Sequence, residues 1–131
     1  MAAILVDTTV VIDILRGRPG AAQRLARVRE QGDLACVCAI TVEETVRGLW
    51  PRERETAARL FGGLHIVPLS SREGRLAGEW RRSHAPRGRT LTQADCLVAA
   101  AALTAGGRLA TGNPKDFPMR ELRVEHWPTG Q

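Results

Sequence analysis

The stretch Ala2-Ala3-Ile4-Leu5-Val6-Asp7-Thr8-Thr9 decides the fold. An apolar run without polar alternation is the pattern of a strand buried on both faces, and such a strand sits in a parallel sheet with helices on either side. Asp7-Thr8-Thr9 closes the run. Val10 to Arg16 then reads as a short helix ended near Gly17 and Pro19, and a second helix is expected over about Ala21 to Glu30, with Leu25 and Val28 on its apolar face.

Working outward, the same alternation continues. Leu34 to Ile40 is a second apolar run, followed by a helix from Thr41 through Leu49. Pro51 interrupts that helix, which resumes through about Phe61 until Gly62-Gly63 stops it. His65 to Leu69 reads as a third strand. Ser70 or Ser71 caps a helix carrying Leu76, Ala77 and Trp80, which ends before the polar loop Ser83 to Thr90. Thr92 to Ala105 is an Ala-rich helix, Arg108 to Ala110 a fourth strand, Asn113 to Phe117 a helical turn, and Val124 the centre of a fifth strand. Strand alternating with helix predicts an α/β protein of three layers, with a mostly parallel central sheet of four or five strands. In such folds the active site lies at the carboxyl ends of the strands. With 131 residues and no linker or repeat, a single domain over 1–131 is expected.

Composition narrows the function classes. A hydrophobic fraction of 44% excludes a disordered chain, and no apolar run approaches the length needed to cross a bilayer. The formal charge of +5, almost all of it from Arg, makes a polyanion a candidate partner, although Arg richness also follows from codon bias. Three cysteines are an odd count, and no secretory segment precedes the first strand, so a cytoplasmic location is expected. Cys36 and Cys38, two apart, share one strand face and read as buried apolar residues instead of zinc ligands. His65, His84 and His126 form no pair at helical spacing.

Four acids remain: Asp7, Glu44, Asp95 and Asp116, each just after an expected strand or at a helix start. Thr41-x-x-Glu44, Thr92-x-x-Asp95 and Asn113-x-x-Asp116 each place a capping residue three before an acid, so any one of them is explained as a helix cap. Together they are harder to explain that way. Asp7 ends an apolar strand, and Asp95 opens an otherwise apolar helix where a carboxylate is costly unless paired or bound to a cation. Several carboxylates at one sheet edge with no Lys or His beside them suit Mg²⁺ or Mn²⁺, which prefer oxygen ligands, and such a site suits phosphodiester hydrolysis. A haloacid-dehalogenase-type phosphatase would need a second Asp where Thr9 stands, and no P-loop, nucleophile elbow or dinucleotide fingerprint is present.

At this point the residues resemble a known family. Ile4 to Asp13, Thr41-Val42-Glu43-Glu44-Thr45-Val46-Arg47-Gly48, Leu91-Thr92-Gln93-Ala94-Asp95 before an Ala-rich helix, and Leu109-Ala110-Thr111-Gly112-Asn113-Pro114-Lys115-Asp116-Phe117 look like the ordered motifs of PIN domains, the VapC toxins in particular. That resemblance implies a Mg²⁺-dependent endoribonuclease of a toxin–antitoxin pair, acting on RNA, held inactive by a VapB-type antitoxin and commonly dimeric. It maps family roles onto Asp7, Glu44, Asp95 and Asp116 as the acids, with Thr111 and Asn113 as supports. Rival readings are a PIN-type nuclease of RNA maturation or DNA processing, and a non-catalytic binding module.

Neighbouring charges are assigned elsewhere. Glu43 is expected to face outward towards Arg47 if Thr41 caps the helix, with Val42 and Val46 as the buried stripe. Asp13 and Glu79 lie off the site. Arg81, Arg82, Arg87 and Arg89 surround a polar loop whose default reading is a solvated basic face.

Overall fold

The computed structural model describes residues 1–131. Five strands, β1 (Ala3–Val6), β2 (Leu34–Cys38), β3 (His65–Val67), β4 (Arg108–Thr111) and β5 (Val124–His126), form one sheet in the order β3-β2-β1-β4-β5. Every pairing is parallel, with Leu5 opposite Cys36 on one side and Leu109 on the other. The helices are α1 (Thr8–Leu15), α2 (Pro19–Glu30), α3 (Ala39–Arg47), α4 (Arg54–Gly62), α5 (Ser71–His84) and α6 (Gln93–Thr104), with short 3₁₀ turns at Pro51–Glu53, Ala85–Arg87 and Pro114–Asp116.

Alternation along β1 feeds two cores. Leu5, Cys36, Cys38 and Leu109 pack with Trp80 of α5 and the Cys96 to Ala102 segment of α6. Ile4, Val6, Val37 and Ala110 pack on the other face with Val10 and Val11 of α1 and Leu25 and Val28 of α2. The unbroken apolar run was expected to mean a strand covered on both sides, and it does. All three cysteines are free and buried, as their apolar setting requires. No helix is long and apolar enough to cross a membrane.

Three helix starts differ from expectation, α2 beginning at Pro19 instead of about Ala21 because proline suits a first helical turn. α1 begins at Thr8, because Asp7 is itself its N-cap: the Val10 N–H donates to Asp7 Oδ1 at 3.3 Å. α3 begins at Ala39 behind Cys38, so Thr41 is a residue of the first turn and not the cap. Its buried residues are Thr41 and Thr45, whereas Val46 is 55% exposed, which corrects the expected Val42–Val46 stripe. Ile40 continues an apolar run without a break, so periodicity alone could not separate the end of β2 from the first turn of α3.

A candidate acidic site at the carboxyl edge of the sheet

β1 and β4 are neighbours in the sheet, but the chain leaves β1 towards β2 on one side and leaves β4 towards β5 on the other. Their carboxyl ends therefore diverge into a crevice, the position where open α/β sheets bind ligands. A cleft of about 270 Å³ opens there. Asp7, Glu44, Asp95 and Asp116 all line it, as do Asn113 and Arg47.

Asp7 stands at the end of β1 and is only 6% exposed. Thr9 Oγ1 donates to its Oδ1 at 2.5 Å, and Thr111 Oγ1, from the end of β4, donates to its Oδ2 at 2.5 Å. Behind each hydroxyl stands a backbone amide: the Gly112 N–H donates to Thr9 Oγ1 at 2.9 Å and the Asn113 N–H to Thr111 Oγ1 at 3.0 Å. Two parallel relays thus run from the segment after β4 into the two oxygens of one carboxylate. A Cβ at Gly112 would meet the Thr129 side chain and crowd Thr9. Burial pushes the Asp7 carboxyl up from its ordinary range, and the bonds from Thr111 and Thr9 hold it back.

Glu44, on α3, accepts from Thr8 Oγ1 at 2.6 Å. Thr8 belongs to the first turn of α1, so one helix start orients two candidate acids. Asp95 lies in the first turn of α6, where its own N–H donates to the Thr92 cap at 3.1 Å. Its carboxyl is pushed up first by burial, against a bond from Thr92, and then by the negative charges of Asp116, Asp7 and Glu44. Asp116 is exposed on the 3₁₀ turn after β4, and Asn113 makes no side-chain cap there, so of the three expected Thr/Asn-x-x-acid caps only Thr92 caps its helix by a side chain.

Sequence reasoning passed over Thr8, Thr9 and Arg47 as members of this group. The only signal for the threonines was their place directly after the first acid, which reads equally as a turn. Glu43 faces outward, 3.7 Å from Arg47, as expected. Asp13 accepts from the Gly130 N–H at 2.9 Å and pins the C-terminal segment, away from the cleft. Glu79 pairs with Arg82 at 2.7 Å on an exposed face. One buried acid went unremarked: Glu73 accepts from Ser70 N–H at 2.8 Å and Ser70 Oγ at 2.7 Å, a capping box that lowers it to about 2.

The donors around the cleft are all oxygens, which matches a hard divalent cation. No three of the acids stand close enough together to form a metal-holding group by themselves. Asp116, Asp7 and Glu44 add their negative charge at Asp95, and like charges held together in a partly buried cleft cost free energy.

Three comparisons bear on this arrangement. The PIN domain model matches residues 4–120. Ribonuclease VapC19 of Mycobacterium tuberculosis is 35% identical over 121 residues, covering 88% of this chain and 92% of that one. Ribonuclease VapC10 of the same organism is 33% identical over 118 residues, covering 90% and 88%. In architecture the chain is similar to DNA-bound VapBC from Salmonella typhimurium, with a TM-score of 0.84, 22% identity, and coverage of 97% of this chain and 99% of that one.

Proposed function

The chain belongs to the PIN domain family, and from that membership we propose that it is a metal-dependent endoribonuclease, the toxin of a VapBC-type pair, with residues 1–131 acting as one nuclease unit. The observation that carries the reading is the convergence of Asp7, Glu44, Asp95 and Asp116, from four separate segments, on one cleft at the divergence of β1 and β4. Relatives that are ribonucleases and a similar fold found in VapBC complexes support RNA as substrate and a VapB-type antitoxin as partner.

Asp7, Glu44, Asp95 and Asp116 would hold Mg²⁺, with Mn²⁺ as a substitute. When bound, the ion supplies a hydroxide-forming water and positive charge for the leaving oxygen of a phosphodiester. The chain's own residues prepare the place. The two hydroxyl relays oppose the upward push of burial on the Asp7 carboxyl and fix the plane of its carboxylate. Thr8 orients Glu44, and the Thr92 cap fixes the start of α6 and with it Asp95. Arg47 also lines this cleft, 3.7 Å from Glu43.

The test is cleavage of a mixed RNA pool. Cutting with Mg²⁺, none in EDTA, and none by a folded Asp7→Ala variant are expected. Undiminished cutting by metal-free protein in chelator refutes the mechanism.

A further inference from the structure

A second cleft, of about 350 Å³, adjoins the acidic one, and Asp95 and Asp116 line both. The two hollows adjoin at these residues and together form a groove beside the acids. Its far side is built from Arg89 and its neighbours in the Gly88–Thr92 segment, with Lys115, the only lysine in the chain, on the turn after β4.

We propose that this adjoining cleft holds the phosphate of a nucleotide next to the cut, with Arg89 and Lys115 supplying the positive charge. The inference rests on the RNA-cleaving reading of the acidic cleft and adds the direction in which the strand leaves it.

Four arginines, Arg81 and Arg82 at the end of α5 and Arg87 and Arg89 after it, surround the basic loop, and the structure separates their roles. Arg81 Nε donates to the Leu91 carbonyl at 3.2 Å and so ties the end of the loop to α5. Arg82 is occupied by Glu79. Arg87 lies outside the lining of either cleft. Arg89 alone of the four borders the groove. Gly88, at φ +74°, makes the turn that delivers it there, and buried Leu91 closes the segment on the other side. Arg89 and Lys115 are exposed and neither forms an ion pair, although two carboxylates share their cleft. Arg47, which lines the acidic cleft but not the adjoining one, is paired with Glu43. The unpaired cations bordering the groove are therefore grouped on one flank, where a single-stranded polyanion passing the acids would meet them.

The experiment measures kcat and KM on a randomised single-stranded oligoribonucleotide pool with Mg²⁺, over a series of salt concentrations. It compares wild type, Arg89→Ala, Lys115→Ala, their double variant, Arg89→Lys, and the charge-matched controls Arg82→Ala and Arg87→Ala. The double variant is expected to raise KM about tenfold with kcat within about twofold, and to flatten the dependence of log KM on log salt by about 0.7, the value for one single-strand phosphate. Arg89→Lys should retain most of the affinity, and the controls should stay near wild type. Both target residues are exposed, so melting curves should match wild type. If wild type cuts the pool and the double variant keeps its KM and salt slope, the proposal is wrong and the acidic site stands. Equal losses in the controls also overturn it, since net charge alone would then be responsible. If wild type cuts nothing with Mg²⁺ or Mn²⁺, the reading of the whole site falls and this proposal falls with it.

Discussion

Replacing Thr111 by Val removes one buried oxygen while keeping the shape of the side chain. Thr111 is fully buried at the end of β4, so the packing is nearly unchanged and the loss is polar. Two bonds go: the 2.5 Å bond to Asp7 Oδ2 and the 3.0 Å bond from the Asn113 N–H. A hydrogen bond to a charged group contributes about 1.5–3 kcal/mol, and an orphaned N–H costs about 1 more, reduced here because Asn113 is exposed and water can reach it. The expected loss is about 3 kcal/mol near neutral pH, or roughly 10 °C in Tm. The sign with pH follows from Asp7. Its folded pKa is already raised by burial, and Thr111 is the leading influence that lowers it, so the variant raises it further. The hydroxyl stabilises the carboxylate form, so its contribution is full above Asp7's folded pKa and shrinks as pH falls through it, leaving only a neutral bond's share. Urea unfolding of both proteins in EDTA, from pH 7 down through the carboxylate range, measures this. A loss under about 0.5 kcal/mol at pH 7, or one that does not change with pH, would refute the claim that this relay favours the carboxylate form of Asp7.

Other outcomes follow from the same geometry. Asp95→Asn should abolish cleavage yet leave metal-free stability unchanged or up to about 1 kcal/mol higher, because relieved repulsion from Asp116, Asp7 and Glu44 offsets the weaker interaction with the α6 N-terminus. A large drop in its denaturation midpoint would make Asp95 chiefly a structural cap. Glu44→Gln should remove most cleavage and weaken Mg²⁺ binding by calorimetry, whereas Glu43→Gln, which only loosens an exposed pair with Arg47, should change either by less than about twofold. The reverse ranking would mean that α3 presents its other face to the metal. Glu73, lowered from 4.5 to about 2 by Ser70, stabilises the fold fully above about pH 4.5, and that contribution is lost as pH falls towards 2. Glu73→Gln should therefore be less stable than wild type at pH 7 and converge with it in acid; a gap that persists at pH 2 would assign the effect to shape instead of charge.

What could be read from sequence was what local physics decides. An unbroken apolar run at Ile4-Leu5-Val6 demands cover on both faces, and that requirement, repeated along the chain, implies the parallel three-layer sheet. The Thr92 cap three before Asp95 is likewise local, and it is present. The start of α3 failed for the same reason these succeeded: Cys38, Ala39 and Ile40 carry no capping or period signal of their own, and only the end of pairing with β3 at Val67 sets the boundary. Contacts made across the sheet lay beyond local reading. Thr111 and Asp7 are 104 residues apart and meet because β4 pairs beside β1. Thr8 finds Glu44 because α1 and α3 leave adjacent strands, and Arg89 is set apart from Arg81, Arg82 and Arg87 by what each side chain meets after folding. The sequence alone determined which residues carry charge and which segments must be buried; strand order decided which charges meet, because a hydrogen bond is settled by separation in space and not along the chain.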